Sequence, residues 1–181
     1  DRVRELGGTC VMVCVASVGV AGLVELRRHS TLPIHAHRAG WGYLSRSPAL
    51  GWDFAAWQKI WRLAGADHLH VNGLRNKFSE PDDVVMRGAR AVATPLFGHA
   101  PMATMPVFSS AQTGLQALDT FTGLGSADLI CTAGGGIFGH PDGVPAGVSA
   151  LRQAWDAAIA GIDLRRHART HGELARALSF W

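Results

Sequence analysis

Asp67-His68-Leu69-His70-Val71-Asn72-Gly73-Leu74-Arg75-Asn76-Lys77-Phe78 opens on an alternating segment and runs into a polar, glycine-containing turn with a lysine near its tip. The alternation suits a strand over Asp67 to Val71. Residues i and i+2 of a strand share a face, so His68 and His70 point the same way. The chemistry therefore stands at the strand's C-terminal end. One unit earlier, Pro33 to Ala36 is a short strand, and His35-Ala36-His37-Arg38 closes it in the same manner. Further on, Met105 to Ser109 ends in a serine pair, and Leu129 to Ala133 runs into Gly134-Gly135-Gly136. Thr9 to Ala16 (TCVMVCVA) completes the set; it is continuous, apolar and β-branched, as a strand buried on both faces requires.

Helical patterns fill the intervals. Val20 to Arg28 ends in basic residues that suit a helix C-terminus. Asp53 is placed to cap an amphipathic helix with Phe54, Trp57, Ile60 and Trp61 on one face. Glu80 to Thr94, Leu115 to Leu124, Val144 to Ala160 and Leu164 to Phe180 are helical, and Asp1 to Glu5 resembles the end of a charged helix. Gly40 to Gly51, rich in Gly, Ser and Pro, is expected to be a loop. Strands alternating with helices give an α/β fold with a parallel sheet. An open doubly wound sheet gathers its site at one switch point, whereas a (β/α)8 barrel builds its site from the C-terminal ends of many strands. The distribution here favours part of a TIM barrel. Five strands cannot close it, so the remaining units must come from elsewhere.

The 181 residues carry no internal linker and suit one domain, residues 1–181. A formal charge of +3 is too small and too scattered to argue for nucleic acid, and fits a small anionic substrate. No apolar run is long enough to span a bilayer, so no membrane partner is expected. Cys10, Cys14 and Cys131 lie in apolar runs without a C-x-x-C spacing, which suits buried small hydrophobes in a reducing cytoplasm.

Two His-x-His pairs on adjacent strands can hold a metal, move protons, bind an anion or simply be buried and hydrogen-bonded. Arg38 beside His37 argues for an anion there, because guanidinium repels a cation and forks onto phosphate. Lys77 on a polar loop suits a closing lid, or a solvated surface loop. Ser109 offers a hydroxyl to an anion or a helix cap. Consecutive glycines let backbone N–H groups approach phosphate closely.

In order, HAHRA, DHLHVNGLRNKF, MPVFSS and AGGGIFGHPDG resemble the C-terminal barrel of the RuBisCO large-subunit superfamily. The resemblance extends from Thr9 to Trp181. It implies that the five strands are barrel strands 4 to 8, with the N-terminal domain and strands 1 to 3 absent from this chain. It implies His37 and Lys77 as catalytic residues, and Arg38, His70, Ser109, Gly134 and Gly135 as phosphate contacts. It also implies magnesium, held by ligands outside this chain and by none within it, and a homodimer of the complete protein.

The sequence departs from the carboxylase at Gly40-Trp41-Gly42, at NGLRNKF, and at SSAQ where the carboxylase has SGG. These differences resemble RuBisCO-like proteins acting on oxo-sugar-acid phosphates, in wording nearest the 3-oxo-isoapionate-4-phosphate transcarboxylase/hydrolase type. Such a protein would use metal-assisted enediolate chemistry on a small phosphorylated, sugar-derived substrate. The alternatives are an enolase or isomerase of a methylthio-sugar phosphate, a zinc hydrolase built on the two His-x-His pairs, and a non-catalytic phosphosugar-binding fragment.

Overall fold

A computed structural model describes residues 2–47, 49–78, 80–98 and 102–181; Asp1 and Pro48, expected at a helix end and in a loop, lie outside them. The elements run α1 (Arg2–Glu5), β1 (Val11–Cys14), α2 (Val15–His29), β2 (Ile34–His37), α3 (Trp41–Ser45), α4 (Phe54–Leu63) and β3 (His68–His70). They continue with α5 (Asp82–Ala93), β4 (Met105–Phe108), a 3-10 turn (Gly114–Gln116), α6 (Ala117–Leu124), β5 (Ile130–Cys131), α7 (Gly134–Phe138), α8 (Val144–Ile159), α9 (Leu164–Ala168) and α10 (Gly172–Leu178). The strand order is β1-β2-β3-β4-β5, and β1–β2, β2–β3 and β3–β4 are parallel. This is an α/β fold with a parallel sheet of the (β/α)8-barrel type. No helix among the described residues is long and apolar enough to cross a membrane.

The chain divides into two compact units. The first comprises Asp1–His70 and Arg87–Val107. Its strands bury Ile34, Ala36, Leu69 and Val107 completely. Their alternation leaves the histidines to the other face. Asp53 caps α4 as its type dictates, accepting from the N–H groups of Ala55 at 2.8 Å and Ala56 at 3.3 Å. Phe54, Trp57 and Trp61 are buried along α4, as the stripe predicts.

Arg62, on the same helix, is 1% exposed and lacks a carboxylate partner among its bonds. It donates instead to the carbonyls of Ala91 at 2.9 Å, Thr94 at 2.6 Å and Met102 at 2.8 Å, and to Gln58 Oε1 at 3.3 Å. A helix's last carbonyls have no partner within the helix. Arg62 supplies one to the end of α5 from a neighbouring element.

The second unit comprises Val71–Met86 and Phe108–Trp181. Thr132 N–H donates to the Phe108 carbonyl at 2.9 Å, joining β5 to the end of β4. Ala117, Ala154, Ala158, Ala168 and Leu174 form its buried cluster, flanked by Phe121, Trp155 and Trp181. Small residues allow α8 to approach α6 and α10 closely. Pro145 stands in the first turn of α8, where its missing N–H costs no helical bond.

Three local expectations give way. The apolar run Thr9 to Ala16 is a strand only over Val11–Cys14, because helix begins at Val15. That helix breaks at Gly19, with φ 67° and ψ 174°, a conformation that a side chain would strain. The loop expected over Gly40 to Gly51 contains α3, whose Trp41 packs at 4.8 Å from Trp57, ring centre to ring centre, and is 8% exposed. The triple glycine is a helical turn, α7, in place of an open loop.

Candidate active site and metal-ligand cluster

In the first unit the strand register aligns the polar face. His35 pairs with His68, Met12 with His35, and Cys14 with His37. His35, His37, His68 and His70 therefore stand in two rows on one side of the sheet. The ring centres of His37 and His70 are 4.6 Å apart, and those of His35 and His70 are 4.8 Å apart. The Nε2 atoms of His35 and His70 meet at 2.6 Å. Burial pushes the His70 pKa down to about 3, helped by the charges of His35, His37 and Arg38. Burial likewise lowers His35, with His68 and His37 adding to it. Both rings are neutral near neutral pH, so one Nε2 donates and the other accepts. His37 Nδ1 accepts the Ala39 N–H at 3.1 Å, so a single proton on that ring sits on Nε2.

Arg38 rests on an aromatic shelf. Its guanidinium carbon lies 4.7 Å from the centre of the Phe54 ring and 5.9 Å from that of Trp41. Both rings are buried, so the shelf is rigid and holds the cation at the C-terminal end of β2. The site residues of this unit, His37, Arg38 and His70, thus come together.

Cys14 stands at the N-cap position of α2, without a side-chain capping bond, directly opposite His37. A hydrogen bond from Ser17 is the largest influence holding its thiol below the usual range. Burial pushes Cys131 up. All three cysteines are only partly buried, which corrects their reading as core hydrophobes. Near neutral pH, iodoacetamide is expected to alkylate Cys14 at least roughly tenfold faster than Cys131, because the thiolate is the nucleophile. Equal rates, read by peptide mass spectrometry, would show that the Ser17 bond does not activate this thiol.

The expectation that every metal ligand lies outside this chain is overturned. Cys10, His35 and His68 each offer one ligand atom, and these atoms all lie within 4.8 Å of one another. Their chemistry does not suit magnesium, which takes oxygen ligands in an octahedron. A thiol and two imidazoles call for a softer ion.

The remaining expected residues belong to the second unit. The loop after β3 is pinned at its base. Arg75 binds Asp119 at 2.6 Å and the Leu115 carbonyl at 2.9 Å, and its N–H donates to Asp82 at 2.7 Å. Asn76 Nδ2 holds the carbonyls of Gly73 and Glu80, and its Oδ1 accepts from Phe78 N–H. Lys77 stands exposed between them, its Nζ 5.6 Å from the centre of the Phe78 ring. Ser109 N–H donates to the Asn72 carbonyl at 3.2 Å.

Ser110 and Ala111 follow with φ of 69° and 61°, left-handed values that glycine adopts more readily. Gln112, 2% exposed, donates to the carbonyls of Leu74 and Ser110 at 3.1 Å each and ties the two loops together. Gly73 is required by that tie, since a Cβ there would strike Gln112 and the Ser109 carbonyl. Gly134 and Gly135 form the exposed start of α7, with open space around both.

The catalytic domain of the ribulose bisphosphate carboxylase large chain matches residues 1–181. The chain belongs to the RuBisCO large-chain family. Among RuBisCO relatives it is 64% identical to a 3-oxo-isoapionate-4-phosphate transcarboxylase/hydrolase of Xanthobacter autotrophicus, over 100% of this chain and 44% of that protein. It is 45% identical to a 3-oxo-isoapionate-4-phosphate decarboxylase of Rhizobium etli, over 99% of this chain and 43% of that protein. The crystal structure of a rubisco-like protein from Burkholderia fungorum matches with a TM-score of 0.96 at 46% identity, over 99% of this chain and 44% of that one. This RuBisCO-family chain therefore spans less than half the length of these relatives.

Sequence reasoning missed Cys14, the Trp41 shelf and Gln112. Alternation along β1 could have placed Cys10, Met12 and Cys14 on one face, but no spacing announces Gln112, whose two bonds depend on loop shape.

Proposed function

We propose that β1 to β5 are strands 4 to 8 of a (β/α)8 barrel, that residues 1–181 are one part of that barrel domain, and that the N-terminal domain and strands 1 to 3 lie outside this chain. The complete protein acts on a phosphorylated oxo-sugar acid, breaking a carbon–carbon bond beside its oxo group as a transcarboxylase/hydrolase or a decarboxylase does. When such a bond breaks beside an oxo group, its electron pair passes onto the carbonyl oxygen as an enediolate, which then takes up a proton. The reaction needs a fixed cation for the phosphate, a positive group near the developing oxyanion, and a proton carrier.

The observation that carries this reading is Arg38 held on the Phe54–Trp41 shelf beside the His37–His70 pair. Phosphate contacts are assigned to Arg38 and His70 in the first unit, and to Ser109, Gly134 and Gly135 in the second. His70, being neutral, contributes hydrogen bonding and not charge. His37 moves the proton through Nε2, and Lys77 faces the oxyanion. The kinship with enzymes named for 3-oxo-isoapionate 4-phosphate makes that compound the first substrate to try. A homodimer is the proposed assembly, supported by exposed apolar side chains at Tyr43, Leu50 and Trp52. Three free thiols suit a cytoplasmic setting.

The test uses a complete protein of the relatives' length that contains this chain. Phosphorus NMR is expected to show conversion of 3-oxo-isoapionate 4-phosphate into a shorter phosphorylated product, with the remaining carbon leaving as a second organic acid (hydrolase type) or as carbon dioxide (decarboxylase type). Arg38→Ala is expected to weaken binding of that substrate by roughly ten- to a hundredfold, the worth of a charge-assisted hydrogen bond, and to leave a dephosphorylated analogue unaffected. Isomerisation without carbon–carbon cleavage, or equal losses for both ligands, would overturn the assignment.

A further inference from the structure

We propose that Cys10, His35 and His68 form a zinc site, separate from the row of His37 and Arg38. Three neighbouring segments supply the ligands. Cys10 immediately precedes β1, and alternation puts it on the face of Met12, whose register partner is His35. His35 in turn pairs with His68 on β3. The parallel register thus gathers one thiol and two imidazoles, with one ligand atom from each lying within 4.8 Å of the other two.

The donors decide the metal. A sulfur and two nitrogens with no carboxylate among them suit zinc, which takes Cys and His in a tetrahedron, and not magnesium or calcium, which take oxygen. Three protein ligands leave the fourth position to water.

Two further features favour an ion over a chance meeting of side chains. His68 Nδ1 is buried and has no hydrogen-bond partner among the described residues, an orphan that a metal bond would satisfy. The His35 ring is also held by His70 across the 2.6 Å Nε2 contact. Ligating histidines commonly have such a partner, which fixes the ring's orientation. The row of His37 lies two residues farther along β2, about 6.6 Å at strand rise, so the ion would staple the strands beneath the proposed active site and not join the reaction.

The full chain, freed of metal with a chelator, is titrated with zinc and separately with cobalt(II). One equivalent of zinc is expected to survive dialysis. The cobalt form is expected to show a thiolate-to-metal charge-transfer band in the near ultraviolet. Cys10→Ser should abolish that band, and His68→Ala should weaken zinc binding at least roughly tenfold, the smallest loss seen even for outer-shell partners. Cys131→Ser should change neither.

The wild-type spectrum decides the matter even if a variant fails to fold. A cobalt-loaded chain without the thiolate band overturns the proposal, as does zinc retained equally by wild type and both ligand variants. No substrate enters the measurement, so its outcome is independent of the activity proposed above.

Discussion

Arg62→Ala is expected to destabilise the full chain by about 3–5 kcal/mol, enough to remove much of the stability of an ordinary domain. The loss has two sources. The carbonyls of Ala91, Thr94 and Met102 now bonded to the guanidinium would be left buried and unsatisfied, each at roughly 1–3 kcal/mol before relaxation. A cavity would also open in place of a fully buried side chain. Equilibrium urea unfolding measures the change. Arg62→Lys should recover only part of it, since an ammonium cannot reproduce the fork that reaches three separated carbonyls. A loss below about 1 kcal/mol for the alanine variant would show that water replaces the guanidinium and that the end of α5 is not capped by Arg62.

Lys77→Ala should have the opposite profile, leaving the fold intact and stopping the chemistry. The side chain is exposed, so stability should stay within about 0.5 kcal/mol of wild type. The neighbouring residues are fixed by Asn76, which places the ammonium without using it in packing. If the charge meets an oxyanion that exists only in the transition state, kcat in the complete protein should fall by roughly 10²–10³ with KM nearly unchanged. A raised KM with kcat preserved would make Lys77 a ground-state phosphate contact. No change in either would leave it a solvated surface lysine.

The strands were legible because apolar residues alternate or run together where a sheet face is covered, and the histidine faces followed from period two. Boundaries were less legible. Val15 is as apolar as Val13, and only the turn that starts at Cys14 tells helix from strand there. The three glycines formed a helical turn against their intrinsic preference, with Gly136 pressed close to the Gln112 carbonyl and Thr113, where no larger residue fits. The metal-ligand cluster was half visible. His35 and His68 were on the correct face, but Cys10 joins them only through the register of β1 on β2, a non-local fact. Arg62 carried no signal at all, since a basic residue in a helix's last turn ordinarily points to water.

The paired left-handed residues after β4 bear on how distant kin are found. Ser110 and Ala111 keep a backbone curve that glycine adopts freely, at about 1–2 kcal/mol each in lost conformational comfort. Gln112, bonded to Ser110 and Leu74, is what keeps the curve in place. A search pattern that wrote glycine at both positions, because of their left-handed torsion angles, would pass over this chain. Diagnostic signatures for this loop are better written as torsion angles plus a buried amide side chain than as letters. Asparagine or aspartate should then be admitted at both positions, and valine, isoleucine and threonine refused.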